Sequence, residues 1–174
     1  SGVSAFIELA GYLNAKKKEL DVSVVFIAFA AEEMGLIGSK YFAENPVIEL
    51  DKVRAMINLD MVGRLNEENQ VNIGGVGTAK EFKGLIEGMN SDRFLLGLSN
   101  EGYGPSDHAS FYAKDLPVLF ISTGAHIDYH TPDDKSSKIN TEGMLSVVEW
   151  TASLVEVIAQ EEALSYQEAG PKQQ

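Results

Sequence analysis

The chain has 174 residues, which fits a single domain, since domains usually contain roughly 100–200 residues. Hydrophobic residues make up 44% and charged residues 23% of the sequence, which is typical of a globular domain and excludes a disordered, collagen-like or coiled-coil class. The 26 acidic and 14 basic residues give a net charge of −12, which disfavours nucleic acid as a partner because phosphates would be repelled. No apolar run approaches the ~20 residues that a membrane-spanning helix needs.

The first half of the chain begins with a predicted helix and a predicted strand. Val3, Phe6 and Leu9 repeat at helical spacing and predict a helix over residues 1–20. Residues 22–30 are β-branched and aromatic with almost no charge, which predicts a central strand covered on both faces. The elements expected after these are a helix at 38–44, strands at 53–59 and 71–73, helices at 78–89 and 106–113, a strand at 117–122 and a helix at 140–163.

Strands that alternate with helices predict an α/β fold with three layers, in which helices cover both faces of a mostly parallel, twisted sheet. Thr78 and Glu81 have the spacing of a capping box and predict the start of the helix at 78–89. The domain is expected to span residues 1–163, and the polar residues 164–174 are expected to form a frayed C-terminal tail.

Carboxylates follow two of the predicted strands. Glu32 and Glu33 follow the strand at 22–30, and Asp60 follows the strand at 53–59. Open α/β sheets bind ligands at the carboxyl ends of their strands, so an active-site role is one interpretation. A solvated loop start is an equally simple alternative for the pair, and for Asp60 by itself a turn or helix cap is the preferred interpretation.

The three histidines lie close together in the sequence, between residues 108 and 130. Since the chain has no cysteine, a metal site must use imidazole and carboxylate ligands, which is the ligand set of zinc hydrolases. His126 and His130 are four residues apart, but Gly124 and Pro132 flank them and favour a loop over a zinc-binding helix. The neighbouring aspartates are Asp107, Asp128, Asp133 and Asp134.

Four short motifs add a more specific signal. They are residues 30–36 (AAEEMGL) followed by Gly38-Ser39, residues 58–63 (NLDMVG), residues 106–108 (SDH) and residues 128–132 (DYHTP). In order and spacing, from Ser1 to about residue 139, they resemble the M28 family of zinc aminopeptidases and carboxypeptidase-like exopeptidases. The resemblance implies a zinc exopeptidase fold and metal-dependent removal of N-terminal residues from peptides that have a free N-terminus.

The resemblance also implies roles for single residues. Glu32 is expected to be the general base that takes a proton from the attacking water. Glu33 and His130 are expected to bind one zinc ion, and Asp60 is expected to bind a second zinc ion. Tyr129 is expected to contact the carbonyl oxygen of the substrate.

Further residues are expected to orient the zinc ligands by hydrogen bonding. They are Asp107, His108, Asp128 and Asp134. For His126 and Arg64, loop packing or a surface ion pair is the preferred interpretation over substrate contact.

The sequence departs from the family pattern at its first residues. Family members have a histidine ligand and a bridging aspartate upstream of a Ser-Gly pair that opens a helix, and this sequence begins at that pair, Ser1-Gly2. We therefore expect a truncated domain without its N-terminal strands, which binds one zinc ion or none and is impaired as a catalyst. An uncovered sheet edge is expected to contact another chain.

Two other functions are compatible with the same motifs. A glutaminyl-cyclase-like transferase would use one zinc ion, although the Glu32-Glu33 pair and Asp60-Met61 favour a peptidase. A non-catalytic receptor or binding module would have lost its ligands, although every metal-site position that this sequence covers has a competent residue. An extracellular or periplasmic location is expected from the resemblance alone, because many bacterial members are exported.

Overall fold

The structure is a computed structural model that describes residues 1–172. Within this range the helices are α1 (Gly2–Ala15), α2 (Ile37–Glu44), α3 (Phe82–Asn90), α4 (His108–Tyr112) and α5 (Thr141–Gln160). The strands are β1 (Met56–Leu59), β2 (Gln70–Gly74), β3 (Leu95–Leu98) and β4 (Val118–Ser122). Short 3-10 helices occur at Leu50–Lys52, Val76–Thr78 and Ser136–Lys138.

The described strands form one sheet in the order β1-β4-β2-β3. β1 pairs with β4, and β2 with β3, in parallel, whereas β2 and β4 are antiparallel. Leu59 pairs with Ile121, and the Asp60 amide donates to the Ile121 carbonyl at 3.2 Å. The carboxyl ends of β1 and β4 therefore lie side by side, and the chain leaves both strands at the same end of the sheet.

Helices cover both faces of this sheet. α1, α3 and α5 pack on one face, where the buried Leu9, Phe82 and Trp150 belong to one apolar cluster with Ile121 of β4. α2 and α4 lie on the other face, where Phe111 and Tyr112 pack with Val118, which is also on β4, and with Phe42. The predicted three-layer, mostly parallel α/β fold is confirmed. Among residues 1–172, no helix combines the length and the apolar character needed to cross a bilayer.

The prediction of a central strand at residues 22–30 is wrong for the sheet that the described residues form. This segment is extended but belongs to none of the four strands, and the Val25 side chain is 55% exposed. Aromatic side chains of the segment contact helices of the domain, since Phe26 packs near Phe6 of α1 and Phe29 packs near Phe42 of α2. A β-branched composition favours an extended backbone, but a strand also needs a neighbour for its amides and carbonyls, which the composition does not specify.

The predicted capping box at Thr78 is also wrong. The Thr78 hydroxyl donates to the Gly75 carbonyl at 2.7 Å and accepts from the Val118 amide at 2.9 Å, so it joins a turn to β4. The helix begins later, at Phe82, and the Glu81 carboxylate accepts from the Ser165 amide at 2.9 Å. Long-range partners therefore replace the local reciprocal pair that the spacing predicted.

The C-terminal residues up to 172 are packed against the domain, so the prediction of a frayed tail is wrong for them. Tyr166 forms a bridge with Ala79, and the buried Tyr112 hydroxyl donates to the Gly170 carbonyl at 2.7 Å. The same hydroxyl accepts from the Ala169 amide at 2.8 Å. Residues 173–174 lie outside the described residues, and the division of the chain at residue 163 stays a prediction.

Candidate metal and active site

A cleft of about 750 Å³ opens where the chain leaves β1 and β4. The start of α1 also lines it, and α1 lies so close to β1 that a side chain at Gly2 would place Cβ 2.2 Å from the Leu59 carbonyl oxygen. The parallel pairing of β1 with β4 thus brings distant parts of the sequence together. The predicted site residues that line the cleft are Glu32, Glu33, Asp60, Tyr129, His130 and Asp134. His126, for which loop packing or a surface ion pair was the preferred interpretation, lines it as well.

The backbone is in the left-handed region at several residues around the cleft. The φ angles are 56° at Ala31, 61° at Leu36, 53° at Met61 and 56° at His130. Leu36, Met61 and His130 line the cleft, and Ala31 directly precedes Glu32. This region is uncommon for residues other than glycine, and such conformations concentrate at functional sites.

Glu33 and His130 form a pair at the open side of the cleft. The His130 Nε2 atom and the Glu33 Oε1 atom are 3.2 Å apart, and the two side chains are 55% and 73% exposed. Two ligand atoms on a tetrahedral zinc ion, with bonds of about 2.0–2.2 Å, are about 3.4 Å apart. The donor types and their separation therefore fit two ligands of one zinc ion. The Tyr129 ring stacks on the His130 ring, with 3.8 Å between centroids.

Asp60 lies on the opposite, more buried side and is held by a short chain of hydrogen bonds. The Ser106 hydroxyl donates to Asp60 Oδ2 at 2.9 Å and accepts from Asn58 Nδ2 at 2.7 Å. Ser106 is buried, so its hydroxyl holds the carboxylate from inside the domain. Asn58 and Ser106 belong to the motifs at residues 58–63 and 106–108, but no role was predicted for either residue. The signal was available, because residues two apart on a strand point to the same face.

The environment of Glu32 suits a proton acceptor. Burial raises the pKa of its carboxyl above the ordinary value, and the negative charges of Glu33, Asp60 and Asp107 raise it further. The conjugate base of such a group takes up a proton more readily, which is the property that a general base requires. The pKa of Asp107 is raised for the same main reason, burial, while a hydrogen bond with Ser39 acts in the opposite direction.

His108 lies behind the cleft and does not line it. It is 1% exposed and stacks on Phe120 with 4.8 Å between ring centroids. Burial lowers the pKa of His108 to about 4, so the ring is neutral at neutral pH. Within residues 1–172 its Nδ1 atom and the Oδ1 atom of Asp107 have no hydrogen-bond partner. The geometry therefore supports a packing role for His108.

An ionic network stabilises the loop that contains Tyr129 and His130. Arg64 Nη2 lies 2.7 Å from Asp128 Oδ2 and 3.0 Å from Asp134 Oδ1, and Lys138 Nζ lies 2.6 Å from Asp128 Oδ1. Lys138, and then Arg64, lower the pKa of Asp128 through their hydrogen bonds. Arg64 therefore connects the segment after β1 to the loop after β4, whereas Asp128 and Asp134 support that loop.

The described part of the chain provides fewer than three clustered ligands at any one point. Among residues 1–172, no group of three or more histidine, aspartate or glutamate side chains is arranged to hold a metal ion. The arrangement comprises the Glu33–His130 pair, the separately held Asp60, and Glu32. Metal binding by these residues and proton transfer by Glu32 are the chemistry that the arrangement supports.

Comparison with known proteins identifies the family. The family model of peptidase family M28 matches residues 1–155. The chain belongs to peptidase family M28. Leupeptin-inactivating enzyme 1 from Streptomyces exfoliatus is 32% identical to this M28 chain over 126 residues. The match covers 72% of the M28 chain and 28% of that enzyme, so the chain spans less than a third of the relative's length.

Solved structures share the fold of this M28 chain. LapA from Legionella pneumophila has a TM-score of 0.69 and 25% identity, and the match covers 92% of the M28 chain and 47% of LapA. The zinc aminopeptidase BSAP from Bacillus subtilis has a TM-score of 0.60 and 24% identity, covering 79% and 35% of the two chains. Porphyromonas gingivalis glutaminyl cyclase has a TM-score of 0.62 and 18% identity, and the match covers 89% of the M28 chain and 60% of the cyclase. The last two show the fold alone.

Proposed function

We propose that this protein is a zinc-dependent aminopeptidase that hydrolyses N-terminal residues from peptides. The observation that carries the proposal is the cleft in which Glu32 lies together with Glu33, Asp60 and His130 in a chain of family M28. The fold neighbour LapA, which is an aminopeptidase, supports the same activity.

Each residue at the cleft has a proposed task. Glu33 and His130 would hold one zinc ion and Asp60 a second, and zinc supplies charge stabilisation at the scissile carbonyl. Glu32 accepts a proton from the attacking water and passes it to the leaving amine. Tyr129, beside His130, donates a hydrogen bond to the carbonyl oxygen of the substrate.

The charge of the cleft supports a substrate with a free N-terminus. Glu32, Glu33, Asp60 and Asp134 line the cleft, and the chain has a net charge of −12. A protonated α-amino group is attracted to such a site, whereas an acylated N-terminus has no positive charge. Peptides with a free amino terminus are therefore the proposed substrates.

The number of zinc ions is a further part of the proposal. We propose that residues 1–174 on their own bind one zinc ion weakly or none. The support is that Glu33 and His130 are exposed and that the described residues have no cluster of three ligand side chains. Calorimetric titration with zinc measures this, and two tight sites would contradict it. An extracellular or periplasmic location, and contact with another chain over a sheet edge, stay predictions.

Hydrolysis of aminoacyl p-nitroanilides by the whole protein in the presence of zinc tests the activity. Exchange of Glu32 for Gln keeps the size of the side chain but removes the proton acceptor, so we expect kcat to fall by about 10²- to 10⁴-fold. Zinc content, measured by mass spectrometry, should be retained. Glu44→Gln is the matched control, because Glu44 is exposed at the end of α2 and does not line the cleft.

The same assay separates the alternatives. An N-terminal glutaminyl peptide would yield a cyclised product, with no shortened peptide, if the protein were a glutaminyl cyclase. Hydrolysis that is equal in the wild type and Glu32→Gln would contradict the proposed role of Glu32. Zinc binding without turnover of any peptide would identify a binding module and overturn the aminopeptidase proposal.

A further inference from the structure

The cleft has an uneven distribution of charge. Its acidic side chains are those at the candidate zinc site, while Lys40 of α2 also lines the cleft. Within the described residues, Lys40 is the only lysine or arginine of the lining. A peptide substrate has the same polarity, because its ammonium group and its carboxylate are at opposite ends.

Lys40 differs from many basic residues of this acidic chain because it has no acidic partner. Lys16 pairs with Glu156 at 2.6 Å, and Arg93 pairs with Glu149 at 2.6 Å. Among residues 1–172, no carboxylate lies within 4.0 Å of the Lys40 ammonium group, and the side chain is exposed. Its charge is therefore available to an anionic group that enters the cleft.

The backbone sets the spacing between Lys40 and the proposed general base. The Leu36 amide donates to the Glu32 carbonyl at 2.8 Å, and the Lys40 amide donates to the Leu36 carbonyl at 2.9 Å. The two turns are not coaxial, because Gly35 and Leu36 are in the left-handed region, so the backbones of Glu32 and Lys40 are at most on the order of 11 Å apart. An extended peptide advances about 3.3–3.6 Å per residue, so one or two residues beyond the cleaved bond, together with the lysine side chain, span this distance.

Apolar side chains lie next to Lys40. Ile37 lies three residues before Lys40 on α2 and is 50% exposed, so it is a surface neighbour of Lys40. Leu36, which precedes Ile37, lines the cleft itself. The last residue of a bound peptide would thus meet apolar surface beside a positive charge.

We propose that Lys40 binds the α-carboxylate of short peptides, so that di- and tripeptides with an apolar last residue and a free carboxylate are the favoured substrates. This inference rests on the proposed aminopeptidase function. Lys40 is then a specificity-determining residue, and its contribution is to substrate binding and not to proton transfer. Longer peptides and amidated peptides cannot place a carboxylate at this position.

Matched substrates and variants test the inference. The substrates are the dipeptide Leu-Leu and its C-terminal amide, and the readout is the ratio of their kcat/KM values. We expect the wild type to favour the free carboxylate about 5-fold, mainly through KM, since a solvent-accessible ion pair is worth at most about 1 kcal/mol. Lys40→Met should reduce the ratio to about 1, whereas Lys40→Arg should retain most of it.

Lys114→Met is the control, because Lys114 is exposed, lies outside the cleft lining and should leave the ratio unchanged. A ratio that is equal in the wild type and Lys40→Met overturns the inference, while hydrolysis of both substrates leaves the aminopeptidase proposal intact. If no peptide is hydrolysed, the aminopeptidase proposal fails. Calorimetric measurement of Leu-Leu and Leu-Leu amide binding then still tests the role of Lys40. A preference of the wild type for the carboxylate that is lost in Lys40→Met supports this role, whereas equal affinities of the wild type for the two ligands overturn it.

Discussion

The two sides of the cleft differ in how their side chains are held. The buried wall comprises Asp60, which lines the cleft, and the residues behind it, Asn58, Ser106, Asp107 and His108, whereas the exposed wall comprises Glu33, Tyr129 and His130. On the buried wall the Ser106 hydroxyl fixes the Asp60 carboxylate from inside the domain. On the exposed wall Glu33 and His130 contact each other at 3.2 Å while both remain largely open to solvent.

This difference shows where the fold itself determines the site. The β1–β4 pairing and the packing of α4 set the geometry of the buried wall, because Ser106, Asp107 and His108 are buried and have few alternative partners. The geometry of the exposed wall depends on a loop, which the Arg64 pairs with Asp128 and Asp134 connect to the segment after β1. Changes in the buried wall should therefore alter stability and metal affinity, and changes at Arg64 should alter the mobility of the loop.

The largest of the following effects is expected from the buried wall at low pH. The pKa of His108 falls from 6.5 to about 4 on folding. Between these values the unfolded chain binds the proton and the folded chain does not, so stability is lost as the pH falls from 6.5 towards 4. The shift corresponds to a loss of up to about 3 kcal/mol in the free energy of unfolding.

Denaturant unfolding across this pH range measures the effect. His108→Phe keeps an aromatic ring beside Phe120 but has no titrating group, so its stability should depend less on pH than that of the wild type. An equally steep pH dependence in the variant would show that His108 is not the group responsible.

An intermediate effect is expected for the hydroxyl that holds Asp60. Ser106→Ala removes the donor to Asp60 Oδ2, and loss of such a supporting hydrogen bond typically weakens metal binding by about 10- to 100-fold. Zinc titration calorimetry of the whole protein and of its Ser106→Ala variant measures the change.

Thr151→Val is the control for that experiment, because it removes another buried hydroxyl, one that donates to the Val147 carbonyl in α5. It should affect stability but not zinc affinity. Unchanged zinc affinity in Ser106→Ala would mean that Asp60 does not contribute to binding.

The smallest effect is expected on the exposed wall. Arg64→Met removes both ion pairs to the loop, while Lys138 still neutralises Asp128. We expect several-fold faster amide hydrogen exchange in residues 126–134, without a change near Ser106. The control, Arg93→Met, breaks an ion pair with Glu149 on α5 and should leave the loop unchanged. Equal exchange in the wild type and Arg64→Met would contradict the proposed link.

Much of the fold could be predicted from local patterns. Val118–Ser122 and Met56–Leu59 are strands within or at the predicted ranges, because continuous apolar runs report burial on both faces. The strand Leu95–Leu98 was missed, since its LLGL sequence is short and contains a glycine. Residues 22–30 have the composition of a strand, but pairing depends on a neighbour that composition does not identify.

The site could be predicted in part. Glu32, Glu33, Asp60 and His130 were all expected near one another, because each follows a predicted strand or belongs to a motif, and all line one cleft. Lys40 was not expected there, since nothing in a helical lysine indicates the surface that it faces.

By itself, the sequence determined the α/β class, the family and the chemical types of the site residues, because these depend on residue identity, periodicity and spacing. Only the tertiary structure decided that Ser106 holds Asp60, that Arg64 connects two loops and that Tyr112 fastens residues 169–170. Each of these contacts joins residues more than forty positions apart. Local propensity acts over a few residues, whereas such pairs form only when the sheet and its helices pack together.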